Sequence, residues 1–346
     1  MVNINSQKTS PKNQSVRLDP VFVIGYKRSG TTMTRLMLNR HPELFIPRES
    51  EYFQKVPVHY GNKIHQPEEV QEILSTLPKD TYKSLIDEEY FYQLLKENLP
   101  GGNDILLACL YQSCIPRKEG NKIRWGDKKP QHWQFVYGLR QWYPQSQFLH
   151  IVRDPRDVIC SIENYEKKGI ELTRKNFFWQ YFPSHVIYAW QQNFAFQAMK
   201  KQGEILGNKR YLKIKYEELV ANPDSNLQNI CDFLQLDPDF KGEMLKFDED
   251  GRNPQIRDGK PSKALHMEQT TRKINNKSIG RYKESLDEKQ IKEIEFICND
   301  LISEMGYIKS DYALSKGDKI RLLAICQVLR MAWDGIRISR RLKGSL

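Results

Sequence analysis

The stretch that decides the fold is VFVIGYKRSGTTMTRLML, from Val21 to Leu38. VFVIG is a short apolar run that ends on glycine, the pattern of a buried parallel strand. A helix is expected from Thr31 to Arg40, so Gly25 to Gly30 is a loop between a strand end and a helix start. Unpaired amide N–H groups and the positive end of the helix dipole then converge on one point, which makes the loop an anion cradle. Thr31 and Thr32 add hydroxyl donors, and Arg28 adds a charged fork. The spacing imitates G-x-x-x-x-G-K-[ST], but Thr31 stands at the lysine position. In nucleoside triphosphatases that lysine reaches the β- and γ-phosphates, so its absence points to a nucleotide without a γ-phosphate. The plainer alternative is a Gly/Ser/Thr turn that only caps a helix.

Working outward, FLHIVR (Phe148 to Arg153) reads as a second buried strand, leading through Asp154-Pro155 into a helix. RYLKIKY (Arg210 to Tyr216) alternates and reads as a third. Helices are expected over Glu88 to Pro100, Asn222 to Leu234, Leu286 to Met305, where SLDEKQ supplies a cap signal, and 318–343. Residues 250–278 have the composition of a long surface loop. Strands alternating with helices indicate an α/β fold: a P-loop-like central parallel sheet flanked by helices, one domain over residues 18–312. Residues 1–17 are expected to be a disordered arm, and 313–346 a basic amphipathic helix. One face of that helix carries Leu322, Ile325, Leu329, Ala332, Trp333 and Ile336.

The chain has 346 residues, 39% of them hydrophobic, and a net charge of +11. Such a balance favours anionic partners. Yet Lys316 to Leu346 alone carries a net +6, leaving an ordinary +5 for the rest, so nucleic-acid binding is not expected. Peripheral membrane contact through the last helix is a lesser expectation beside simple docking of its apolar face. No run is long enough for a membrane span, and MVNINSQKTSPKNQS lacks the apolar core of a signal peptide. The six cysteines form no C-x-x-C pair. A cytoplasmic chain with buried free thiols is the resulting expectation.

VFVIGYKRSGTTMTRLMLNRHPEL resembles the 5′-phosphosulfate loop of sulfotransferases that use 3′-phosphoadenosine 5′-phosphosulfate (PAPS). Arg28, Ser29, Gly30, Thr31, Thr32 and His41-Pro42 match the pattern, while Lys27 stands where the family often has proline. FLHIVRDPRDVICSIENY resembles the family's 3′-phosphate site, an arginine at a strand end with a serine eight residues on. Arg153 and Ser161 take those places. The bland alternative for Arg153 is an ion pair with Asp154 or Asp157. YEELVANP and SIGRYKESL resemble two later segments, placing Tyr216, Gly280 and Arg281 near the nucleotide. The alternatives are core packing for Tyr216 and a solvated charge for Arg281.

The resemblance implies metal-independent, in-line sulfuryl transfer from PAPS, leaving adenosine 3′,5′-bisphosphate. Charge stabilisation and positioning should dominate, as in phosphoryl transfer. Glu49, in PRESEYF, is in register with the catalytic glutamate of the tyrosylprotein branch and is the expected base. Glu51 is the runner-up. His132 is the weaker candidate, because Pro130 holds the place of the histidine that small-molecule sulfotransferases use. WGDKKP resembles the segment whose lysine points at the sulfate, so Lys128 and Arg28 are expected to share the leaving-group charge. The expected acceptor is a small hydroxylated or amino metabolite, with glycan or lipid acceptors open. KNFFWQYFPSHVIYAW (Lys175 to Trp190) is either acceptor wall or core. The rival readings are a small-molecule kinase, against which Thr31 speaks, and a non-catalytic nucleotide binder.

Overall fold

A computed structural model describes residues 16–47, 49, 64–69, 86–115, 123–167, 181–248, 256–257, 260–261 and 274–342. Its centre is a parallel sheet of β1 (Val21–Gly25), β2 (Leu44–Phe45), β3 (Arg124–Lys128), β4 (Gln147–Val152) and β5 (Tyr211–Lys215), in the order β2-β3-β1-β4-β5. From β1 the chain builds one half of the sheet through β3. It then crosses to the other side of β1 for β4 and β5. The reversal of direction sits at β1, and crevices at the carboxyl ends of strands at such a point are where ligands bind in open α/β sheets.

β1 is buried along its whole length, and its side chains split by the two-residue period of a strand. Phe22 and Ile24 enter the core layer with Leu107, Tyr111 and Trp125. Val21 and Val23 enter the opposite layer with Leu36, Leu219 and Ile230. The register sets Val23 beside Lys128 on β3 and Gly25 beside Ile151 on β4. Gly25 is required by that closeness, since a Cβ there would lie 2.6 Å from the Ile151 carbonyl oxygen.

The main helices are α1 (Thr31–Leu38), α2 (Glu88–Asn98), α3 (Asn103–Ser113), α4 (Pro155–Lys167), α5 (Ser184–Leu206), α6 (Tyr216–Ala221), α7 (Pro223–Leu234), α8 (Glu288–Ile297) and α9 (Lys316–Leu342). The helix expected over Leu286 to Met305 is broken at Cys298, with a second piece at Asn299–Glu304. Its start is as expected: Asp287 and Gln290 form a reciprocal capping box. α9 docks on the body through Leu322 and Leu329, while Trp333 stacks on Trp133 with centroids 6.3 Å apart. Ile320, Leu323 and Met331 of the same helix are exposed.

One expectation needs correction, and one open alternative is decided. The arm is shorter than residues 1–17 at its inner end: Val16 is buried, and the Arg17 carbonyl accepts from Trp125 Nε1 at 2.7 Å. Residues 1–15 lie outside the described residues. Within Lys175 to Trp190, the part from Ser184 opens α5, and Val186, Tyr188 and Trp190 pack into the core behind α4. Residues 175–180 lie outside the described residues. Of the 250–278 loop, Ile256–Arg257 and Lys260–Pro261 pair as a short antiparallel ladder. Among the described residues no helix is long and apolar enough to cross a membrane. Cys109, Cys114, Cys160, Cys231 and Cys298 are buried, and burial pushes the Cys109 and Cys114 thiols up to about 12.

Candidate active site

Three neighbouring strand ends deliver the site: the loop after β1, Lys128 at the end of β3, and Arg153 just past β4. Gly30 closes the loop with φ +97°, a conformation natural to glycine, and precedes α1 without a side-chain cap on the helix amides. A Cβ on Gly30 would meet the Tyr216 ring at 2.4 Å, so Tyr216 packs directly against the loop from α6. Arg28 is also left-handed, at φ +67°.

The loop has two flanks. On one, Lys128 Nζ donates to Thr32 Oγ1 at 3.1 Å and forms an ion pair with Glu49. Lys128 is buried, whereas Glu49 is 44% exposed and opens to solvent. Burial pushes the Lys128 ammonium below the usual lysine range, and the Glu49 carboxylate opposes that shift. On the other flank, Arg28 Nε donates to Ser161 Oγ at 3.3 Å, and its guanidinium lies 4.2 Å from the centre of the Tyr165 ring. Arg153 Nη1 donates to the Arg28 carbonyl at 3.1 Å, and its guanidinium stacks 4.6 Å from the Tyr216 ring centre. Arg153 Nη2 donates to the Ser278 carbonyl, and the Tyr216 and Ser278 hydroxyls share a hydrogen bond of 3.0 Å.

Glu49, Lys128 and Thr32 therefore form one cluster, and Arg28, Arg153, Ser161 and Tyr216 form the other, joined by Ser29, Gly30 and Thr31. Lys27 turns away from both: its Nζ lies 4.4 Å from the Tyr188 ring centre on α5. Burial pushes its ammonium down to about 8. Gly280 donates its amide to Asp157, four residues before Ser161, whereas the Arg281 side chain makes no hydrogen bond or ion pair among the described residues. Glu51 lies outside the described residues. His132 is buried in a short 3₁₀ turn and bonds Asp127 through Nε2, on the far side of β3 from Lys128.

The carboxylates near Arg153 are committed elsewhere. Asp154 pairs with Arg156 at 2.6 Å, and Asp157 accepts two backbone amides. Neither Arg28 nor Arg153 has an ion pair among the described residues. Ser29 Oγ and Arg153 Nε are buried without a hydrogen-bond partner. Buried polar groups and charges are normally satisfied. The second flank is thus a cationic cluster with donors to spare, which fits an anionic nucleotide end.

Tyr165 and Asp157 were not singled out as site residues by the sequence reading. Tyr165 follows Ser161 by four residues, one turn along the same helix face, and that spacing is its signal. Asp157 carries no signal for its backbone partners, which lie over a hundred residues away.

A profile of the sulfotransferase family matches residues 20–240. Protein-tyrosine sulfotransferase A of Caenorhabditis elegans is 26% identical over 223 residues, 64% of this chain and 51% of that protein. Protein-tyrosine sulfotransferase 2 of Gallus gallus is 27% identical over 222 residues, 62% and 51% of the two chains. The chain spans about half the length of these curated relatives. Among solved structures, the sulfotransferase domain from the Synechococcus PCC 7002 olefin synthase has a TM-score of 0.53 at 20% identity, covering 90% of this chain and 95% of that one, a likeness of fold. With the profile running from the first strand through the loop, Lys128, Arg153 and Tyr216, the chain belongs to the sulfotransferase family.

Proposed function

We propose that this chain transfers a sulfuryl group from PAPS to an acceptor hydroxyl or amine. The observation that carries the reading is the meeting of Arg28 and Arg153 without a carboxylate partner among the described residues, beside the unsatisfied Ser29 Oγ and Arg153 Nε. Arg153 and Ser161 would hold the 3′-phosphate. The amides of Ser29 to Thr32, the hydroxyls of Thr31 and Thr32, and Lys128 would hold the 5′ end. Tyr216, Gly280 and Arg281 would border the nucleotide, with Lys27 at the edge of the loop.

PAPS supplies an activated sulfuryl group joined to a phosphate leaving group. Lys128, fixed by Thr32, places a positive charge where negative charge grows on departure, and Arg28 adds to it. Glu49 accepts the acceptor's proton as the new S–O or S–N bond forms. Its ion pair with Lys128 holds it beside the loop until an anion takes its place at the ammonium. Burial of Lys128 strengthens both contacts.

For the acceptor we take a small cytoplasmic metabolite as the first reading. A tyrosine side chain of a protein is the second, favoured by the protein-tyrosine sulfotransferases that match this chain. Parallel incubation with labelled PAPS and labelled ATP tests the activity, with metabolite pools and tyrosine-containing peptides offered as acceptors. Transfer of label from PAPS supports the reading and a mass gain of one SO₃ identifies the acceptor. Label moving only from ATP overturns it.

A further inference from the structure

The segment from Ser278 to Tyr282 is fastened by three residues of the chain that leaves β4, Arg153, Arg156 and Asp157. Arg153 holds the Ser278 carbonyl. Asp157 Oδ2 accepts the Gly280 amide at 2.7 Å, and Asp157 Oδ1 accepts the Tyr282 amide at 3.1 Å. The Arg156 guanidinium lies 4.3 Å from the centre of the Tyr282 ring. Gly280 has φ +76°, which lets two amides two residues apart converge on one carboxylate. Asp157 is 2% exposed and lies in the first turn of α4, four residues before Ser161. A buried carboxylate that spends both oxygens on a distant backbone is costly to desolvate, and the amides are what compensate it.

Resting on the PAPS reading above, we infer that Asp157 is a positioning residue that clasps the 278–282 segment as a cover over the 3′-phosphate end of the nucleotide. Arg153 serves both parts, since the guanidinium assigned to the phosphate also grips the segment. Closing the cover therefore presets the arginine, and releasing the cover frees the nucleotide. Asp157 acts through the segment and touches no reacting atom.

The test uses the full chain, with adenosine 3′,5′-bisphosphate as the probe, and compares Asp157→Asn with wild type. Asparagine keeps the size but turns an amide N–H₂ toward one of two backbone donors. Amide exchange of the free proteins should speed up at Gly280 and Tyr282 alone, with β1 and β4 still protected. Dissociation of the bisphosphate should accelerate by roughly 10-fold or more, with association unchanged. Ser278→Ala should shift dissociation in the same direction, by less. Uniformly faster exchange with a lower Tm, or dissociation equal to wild type, overturns the inference. Failure of the wild type to bind the bisphosphate overturns the PAPS reading instead, and the exchange result in the free protein separates the two failures.

Discussion

Arg153 donates to the main-chain carbonyl of Arg28 at 3.1 Å, so the guanidinium past β4 holds the loop past β1 by its backbone. The two halves of the cradle are thus one unit before any ligand arrives, which lowers the ordering cost of binding.

Arg153→Ala should therefore weaken adenosine 3′,5′-bisphosphate by about 10- to 100-fold, the scale of lost charge-assisted hydrogen bonds. Calorimetry measures it, and affinity equal to wild type would remove Arg153 from the site.

Glu49→Gln should lower turnover by about 10²–10⁴-fold, the usual yield of a general base. Affinity for the bisphosphate should hold or rise, since the substitution removes the carboxylate that competes for the Lys128 ammonium. Steady-state kinetics with whichever acceptor gains SO₃ decides, and unchanged turnover would return the role to Glu51.

The proposed mechanism needs Lys128 charged, and burial lowers the pH at which it loses its proton. Turnover should fall as pH rises through that depressed value, earlier than for an exposed lysine. Lys128→Arg keeps the charge, so its alkaline limb should move to higher pH even if its maximum is lower. A limb that stays in place would exclude Lys128 as its origin.

Gly30→Ala should cost about 1–3 kcal/mol of stability, because the new Cβ meets both a left-handed backbone and the Tyr216 ring. Urea denaturation measures the loss, and bisphosphate affinity should fall with it as Tyr216 is displaced.

Lys27 offers a stability test with a definite sign. Its ammonium is pushed from 10.5 to about 8, so between those values the unfolded chain binds more protons than the folded one. Its contribution makes stability rise with pH across that window and level off above it. Lys27→Met should raise stability at pH 7 by about 1–2 kcal/mol and flatten the rise. Denaturation at pH 7 and at pH 10 checks both parts.

The sheet was legible where its strands are apolar. VFVIG, FLHIVR and RYLKIKY announce themselves, and their observed limits differ by a residue at most. RWGDK does not, because β3 is a buried strand of mostly polar residues whose partners come from elsewhere: Arg124 bonds the Leu234 carbonyl, Asp127 bonds His132, and Lys128 bonds Thr32. Periodicity cannot register burial that depends on such pairing. The site was legible where chemistry follows a local motif, as at Arg28 to Thr32 and at Arg153 with Ser161. It was not legible at Asp157, whose role exists only once a loop from the far end of the chain lies against it.

Arg28 holds a left-handed backbone that costs a non-glycine residue about 1–2 kcal/mol. Glycine would relax there at once, yet it would take away the guanidinium that spans to Ser161. Natural drift toward a sturdier loop therefore runs against ligand capture at this single position. On the proposed function, heat resistance and nucleotide grip are antagonists in this loop, and any effort to harden the protein would do well to leave residue 28 alone.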